Sequence, residues 1–179
     1  MEVIKDIDSE KLYDFDESGI DLEINSEYGF CQQGKRLEIP RSGKRGKRLN
    51  ILAARDSNNN LLFSKIYEST IDKDIFKNYL KEDLLPYIPK GSYLRLDNAK
   101  FHHDSKAEIA DKSIETIADI AEEFDITLLY LPAYSPDLNP IEKKWAQLKY
   151  WYRKLRGKHK LKRELLESLL GIDKNASLI

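Results

Sequence analysis

A single cysteine, Cys31, stands in 179 residues. No internal disulfide can form, which excludes a stapled secreted scaffold and suits a reducing compartment. No apolar run reaches the length of a membrane span. Met1 to Glu10 is acidic and mixed, so it lacks the basic and apolar regions of a secretory signal. Internal repeats, low-complexity tracts and clear linkers are missing too. With 41% hydrophobic and 34% charged residues, what remains is a soluble globular protein able to bury a core without staples. One domain over residues 1–179 is expected, with its core at about 11–155 and a helical extension at 157–172.

Net charge is scarce as well, at −1, but the charges are segregated. Residues 1–30 carry ten acids and two bases. Residues 35–48 carry seven bases and one acid, Glu38. From Lys143 to Arg163 there are ten Lys or Arg and no acid. Such asymmetry fits a polyanionic partner held near an acidic site; the plainer reading of each basic run is a solvated face.

The pattern of residues predicts alternating strands and helices. Lys11 to Asp16 (KLYDFD) alternates, with Leu12, Asp14 and Asp16 on one face, and Glu17-Ser18-Gly19 is expected to end that strand. Residues 25–46 hold five Gly or Pro and read as an irregular basic loop. Arg48 to Arg55 and Leu61 to Glu68 read as a hairpin around the turn-forming Asp56 to Asn60. Ser69 or Thr70 is expected to cap a helix that Pro86 and Pro89 stop. Gly91 to Asp97 (GSYLRLD) reads as a short strand and Ser105 to Phe124 as one helix, with Ile109, Ile114, Ile117, Ile120 and Ala121 inward. Ile126 to Leu131 (ITLLYL) reads as a buried strand. After a proline-rich loop, Asn139 is the expected N-cap and Pro140 the first helical residue. That helix carries Ile141, Trp145, Leu148 and Tyr152 on one stripe. Gly157 interrupts it before an amphipathic Leu161 to Leu170. The order predicts an α/β fold, a mixed sheet flanked by helices on both faces; a ribonuclease H-like fold has this order, and many other α/β folds begin similarly.

Three acids fall where such a fold places chemistry. Asp16 and Asp97 follow strand patterns, and ligands gather at the carboxyl ends of strands in open sheets. Glu142 lies in the first turn of a helix. They are 81 and 45 positions apart, and adjacent first and fourth strands would bring them together. Carboxylates suit hard divalent cations, and two such ions about 3.5–4 Å apart can activate a nucleophile and stabilise the leaving oxygen of a phosphodiester. Taken singly, each acid has a structural reading: Asp as a turn former, Glu as a complement to the helix dipole.

The surrounding segments add to this. Leu94 to His102 (LRLDNAKFH) and Leu131 to Lys149 (LPAYSPDLNPIEKKWAQLK) closely resemble the second and third catalytic motifs of the mariner superfamily of cut-and-paste transposases, nearest its bacterial insertion-sequence branch. Asp14 to Gly19 (DFDESG) looks like the first motif, and Tyr28-Gly29-Phe30 with Gly34-Lys35-Arg36 like the segment after it. The resemblance implies that Asp16, Asp97 and Glu142 are the catalytic, metal-binding acids of a D-D-E set. It also implies Mg²⁺ or Mn²⁺ as cofactor, two ions in all, and cleavage of DNA at element ends followed by strand transfer. Expected partners are element-end and target DNA, a second copy of the chain and a separate DNA-recognition chain, with no membrane; the expected location is the bacterial cytoplasm, at the nucleoid. Relatives usually carry N-terminal helix-turn-helix domains. The first catalytic strand begins here near residue 11, so no such domain is expected in this chain.

Residues expected to contact DNA are Lys35, Arg36, Lys44, Arg45, Lys47, Arg48, His102, Lys143 and Lys149. Supporting roles fall to Asn98, Pro136, Asn139 and Pro140. Asn98 is read as orienting Asp97, touching phosphate or capping the local turn. His102 is read as bonding a phosphate, positioning the nucleophile or packing in a structural network. Trp145 is read as anchoring its helix to the core. A catalytically silent DNA-binding or dimerising module is the alternative, and a host nuclease of the same fold is a third reading that the SPDLNPIE phrase opposes.

Overall fold

The computed structural model describes residues 7–22, 31–36, 47–99, 102–132, 135–158 and 162–172. Five strands form one mixed sheet: β1 (Leu12–Asp21), β2 (Arg48–Arg55), β3 (Leu61–Tyr67), β4 (Ser92–Leu96) and β5 (Ile126–Tyr130), in the order β3-β2-β1-β4-β5. β1 runs antiparallel to β2, and β2 to β3. β4 lies parallel to both β1 and β5. The α-helices among the described residues are α1 (Lys73–Asn78), α2 (Lys106–Ala110), α3 (Ile117–Glu123), α4 (Ile141–Leu155) and α5 (Lys162–Leu169). Among the described residues no helix is long and apolar enough to cross a membrane.

Alternation along the strands gives the sheet two apolar faces, each with its own core. Phe15, Leu52, Ala54, Leu94 and Leu96 point to one face and pack with Phe76, Tyr79, Leu80, Leu84, Ile117 and Ile120. Ile20, Leu49, Ile51 and Ala53 point to the other and pack with Ile141, Trp145, Leu148, Tyr152, Leu165 and Leu166. The stripe read on the α4 sequence is thus its buried stripe.

Several local expectations are corrected. β1 does not stop at Glu17 but continues to Asp21, because β2 pairs with it through Asp21↔Arg48. Asp16 is therefore a mid-strand residue. The cap of α1 is Asp72, whose side chain accepts the Ile75 N–H, and neither Ser69 nor Thr70. Below it the helix widens into a π-helical turn, Tyr79–Leu84.

The single helix expected over Ser105 to Phe124 is two. Asp111 takes the Ser113 N–H and hydroxyl at 3.0 and 2.6 Å, and Thr116 starts a new helix with a reciprocal Asp119 cap. Side-chain bonds to local backbone outcompete helix continuation here, and Ile109 and Ile114 end up exposed. β5 is an edge strand rather than a buried one, with Tyr130 at its open end exposed. At α4, the Asn139 side chain does not cap. Pro140 already has helical dihedrals, and the Glu142 N–H bonds the Asn139 carbonyl at 3.2 Å.

Candidate active site

The parallel β1–β4 ladder pairs Leu12 with Tyr93, Tyr13 with Leu94 and Asp14 with Arg95. Asp14 and Arg95 are 81 positions apart, the same separation as Asp16 and Asp97. Continuing that register by two residues brings Asp16 level with Asp97, one residue past the end of β4. Glu142 approaches from the first turn of α4, on the face that Asp16 shares.

Asp14 and Asp16 point to the same face, yet their surroundings differ completely. Asp14 is buried and neutralised by two guanidiniums: Arg55 Nη1 bonds Oδ2 at 2.6 Å, and Arg95 bonds Oδ1 through Nε at 2.7 Å and Nη2 at 2.5 Å. Asp16, only 5% exposed, meets no Lys or Arg bond among the described residues. Its Oδ2 accepts the Trp145 Nε1–H at 3.0 Å. Burial, then the negative charge of Glu142, and more weakly that of Asp97, push its pKa up from 3.8 to about 7; the Glu17 N–H and Trp145 pull the other way. Like charges gathered around a buried carboxylate define a place that a cation would stabilise.

Asp97 is held differently. His102 Nδ1 lies 2.6 Å from its Oδ1, and the Ala99 N–H reaches the same oxygen at 3.0 Å. The His102 bond is the main reason its pKa is lowered, against a smaller burial effect. Glu17, a further acid near this point, has its pKa raised by desolvation first and also by Asp97.

Carboxylates are the donors a hard divalent ion takes, and Asp16 has no basic partner among the described residues while it feels the charges of Glu142 and Asp97. Among the described residues, however, no three acidic, His or Cys side chains stand in a group that could hold one ion. Glu142 and Asp97 are near enough to raise the Asp16 pKa without forming a closed ligand cage with it.

The other expected site residues are scattered. His102 is fully buried and bonded to Asp97; it sits in a packed network with Phe15 and Phe76 and offers no surface to a phosphate. Asn98 is exposed, and the donors to Asp97 are Ala99 and His102 instead. Pro136 opens the 3-10 turn Pro136–Leu138, and Asn139 and Pro140 lead into α4. Lys35, Arg36, Lys47 and Arg48 are exposed, Arg48 lying in the space that a side chain on Gly19 would need. Lys143 is exposed and Lys149 partly so on α4. Lys44 and Arg45 lie outside the described residues, as does the Tyr28-Gly29-Phe30 segment.

Sequence reasoning missed the Trp145–Asp16 bond, the Asp14–Arg55–Arg95 cluster and the burial of His102. The alternation of KLYDFD placed both aspartates on one face, but nothing local in it told which was neutralised.

The fold is ribonuclease H-like, a mixed sheet with helices on both faces. Residues 11–166 match the model of the DDE superfamily endonucleases, and the chain belongs to that family. Solved structures of Mos1 transposase share the fold. A paired-end complex with the left transposon end superposes at TM-score 0.62 and 15% identity, covering 95% of this chain and 55% of that one. A Mos1 mariner paired-end complex with Mn gives 0.57 and 14%, covering 96% and 55%. The Mos1 catalytic domain with raltegravir and Mg gives 0.59 and 15%, covering 96% and 76%. This chain thus spans about half the length of the transposase in the paired-end complexes. No curated protein matches the sequence.

Proposed function

We propose that this chain is the catalytic domain of a mariner-superfamily transposase of the bacterial insertion-sequence branch, cutting DNA phosphodiesters and transferring the freed strand with the help of a divalent metal. The observation that carries the reading is the state of Asp16. A buried carboxylate raised to about 7 by burial and by Glu142 and Asp97 is costly to the fold unless a cation comes to it.

Asp16, Asp97 and Glu142 are the residues proposed to hold Mg²⁺ or Mn²⁺, two ions in all; relatives of this fold were solved with Mn and with Mg. When bound, such ions would lower the pKa of an attacking water or 3′-hydroxyl and stabilise the leaving oxygen. The chain's own residues supply position. Asp16 is set by a strand paired on both sides and by the Trp145 N–H. Glu142 is carried by a helix whose start Pro140 pre-organises. Lys35, Arg36, Lys44, Arg45, Lys47, Arg48, Lys143 and Lys149 are proposed to neutralise DNA phosphates. Proposed partners are element ends and target DNA, a second copy of the chain and a separate recognition chain.

The test is nicking of plasmid and oligonucleotide DNA with Mn²⁺ or Mg²⁺, by the wild type and by Asp16→Asn, Asp97→Asn and Glu142→Gln. Metal-dependent nicking lost in each variant supports the reading. Nicking that survives in all three would overturn the site. DNA binding without nicking in any metal would make the chain a regulatory module.

A further inference from the structure

His102 is a polar ring in an apolar place. It is wholly buried, edge-on to Phe15 with ring centroids 5.5 Å apart and tilted against Phe76 at 4.7 Å. Packing alone would be met at least as well by leucine or phenylalanine, because burying an imidazole is unfavourable unless its nitrogens are bonded. Nδ1 stands 2.6 Å from Asp97 Oδ1 and 3.3 Å from the Asp97 carbonyl oxygen. Donation to a carboxylate requires the proton on Nδ1, so the partner sets the tautomer.

The backbone around the ring is tied as well. The His102 N–H bonds the Ala99 carbonyl at 3.0 Å, and the His102 carbonyl accepts the Tyr130 hydroxyl at 2.8 Å, linking this turn to β5. The position of Nδ1 is therefore determined by β1, α1 and β5 together, independently of Asp97 itself. On the carboxylate, His102 and the Ala99 N–H converge on Oδ1. Oδ2 accepts no hydrogen bond among the described residues, and the Asp97 side chain is 44% exposed.

We infer that His102 is a positioning residue: it locks Asp97 in the one rotamer that keeps Oδ1 on the protein and presents Oδ2 to a divalent cation. The inference rests on the reading of Asp97 as a metal ligand. A hydrogen-bonding partner behind a ligand orients it and limits the freedom lost on binding, and removing such a partner typically weakens metal binding about 10- to 100-fold.

The experiment is a Mn²⁺ titration followed by electron paramagnetic resonance, with melting curves on the same samples, for wild type, His102→Phe, His102→Asn, His102→Gln and Asp97→Asn. His102→Phe keeps a ring in the pocket and loses the donor, so its Mn²⁺ affinity should fall about 10- to 100-fold. His102→Asn places an amide nitrogen close to where Nδ1 was and should recover most of the affinity. His102→Gln places its nitrogen further out and should not. Should His102→Phe fail to fold, the Asn and Gln pair carries the same comparison. Wild-type affinity in folded His102→Phe, or equal affinity in the Asn and Gln variants, overturns the inference. If Asp97→Asn itself binds Mn²⁺ like the wild type, the site reading falls first; if Asp97→Asn loses binding while His102→Phe keeps it, only the inference about His102 falls.

Discussion

The Trp145 indole N–H donates to Asp16 Oδ2 at 3.0 Å across 129 positions of sequence. One end of the bond is a fully packed ring in the core between the sheet and α4, and the other is the most perturbed acid of the site. The residue that anchors α4 thereby also orients the acid that α4 confronts with Glu142.

Trp145→Phe should keep most of the packing and lose the donor. Hydrogen bonds to charged groups contribute about 1.5–3 kcal/mol, so the melting temperature above neutral pH should fall. Because Trp145 helps to lower the Asp16 pKa, the pH at which Mn²⁺ binding sets in should move upward. A variant with unchanged melting and unchanged pH dependence would show that the bond does not form in solution.

Asp16 makes the metal-free protein sensitive to pH. Its pKa is raised from 3.8 to about 7 on folding, so the folded chain binds more protons than the unfolded one between those values. Stability is fullest below the unfolded value and declines as pH rises toward about 7, by roughly 4 kcal/mol at most. Asp16→Asn should match the wild type near pH 4 and melt higher than it near pH 8 in EDTA. Parallel pH profiles for the two proteins would contradict this.

Asp14 should behave in the opposite way, although it lies two residues away on the same face. Asp14→Asn strips the charge that neutralises Arg55 and Arg95. Removing one partner of a buried ion pair costs about 3–5 kcal/mol. Chemical denaturation should show Asp14→Asn strongly destabilised at neutral pH, where Asp16→Asn is stabilised. Equal effects of the two substitutions would mean that the site has been assigned to the wrong aspartate.

Neutralising Lys35, Arg36, Lys47 and Arg48 together should weaken DNA binding and flatten its salt dependence, by about 0.9 in log–log slope for each phosphate that is no longer neutralised. Fluorescence anisotropy over a salt series measures it. A slope equal to the wild type would remove this basic segment from the DNA surface and leave Lys143 and Lys149 on α4 as the phosphate-binding residues to test.

The sequence by itself determined what depends on neighbours along the chain. Alternation in KLYDFD set strand faces, the Asp56 to Asn60 turn set a hairpin between Arg48 to Arg55 and Leu61 to Glu68, and Ile141, Trp145, Leu148 and Tyr152 set the buried stripe of α4. The element order and the phrases around Asp97 and Glu142 pointed to the ribonuclease H-like fold and to the family. Where local rules competed, the reading failed: Asp111 and Thr116 broke a helix that the isoleucine spacing had joined, and pairing with β2 carried β1 past Gly19. Tertiary structure alone decided which aspartate is neutralised, that a tryptophan holds Asp16, and that His102 is buried behind Asp97. The physical reason is that charge state and burial depend on groups far away in sequence. Arg55 and Arg95 reach Asp14 across 41 and 81 positions, and no local pattern records which carboxylate they will meet.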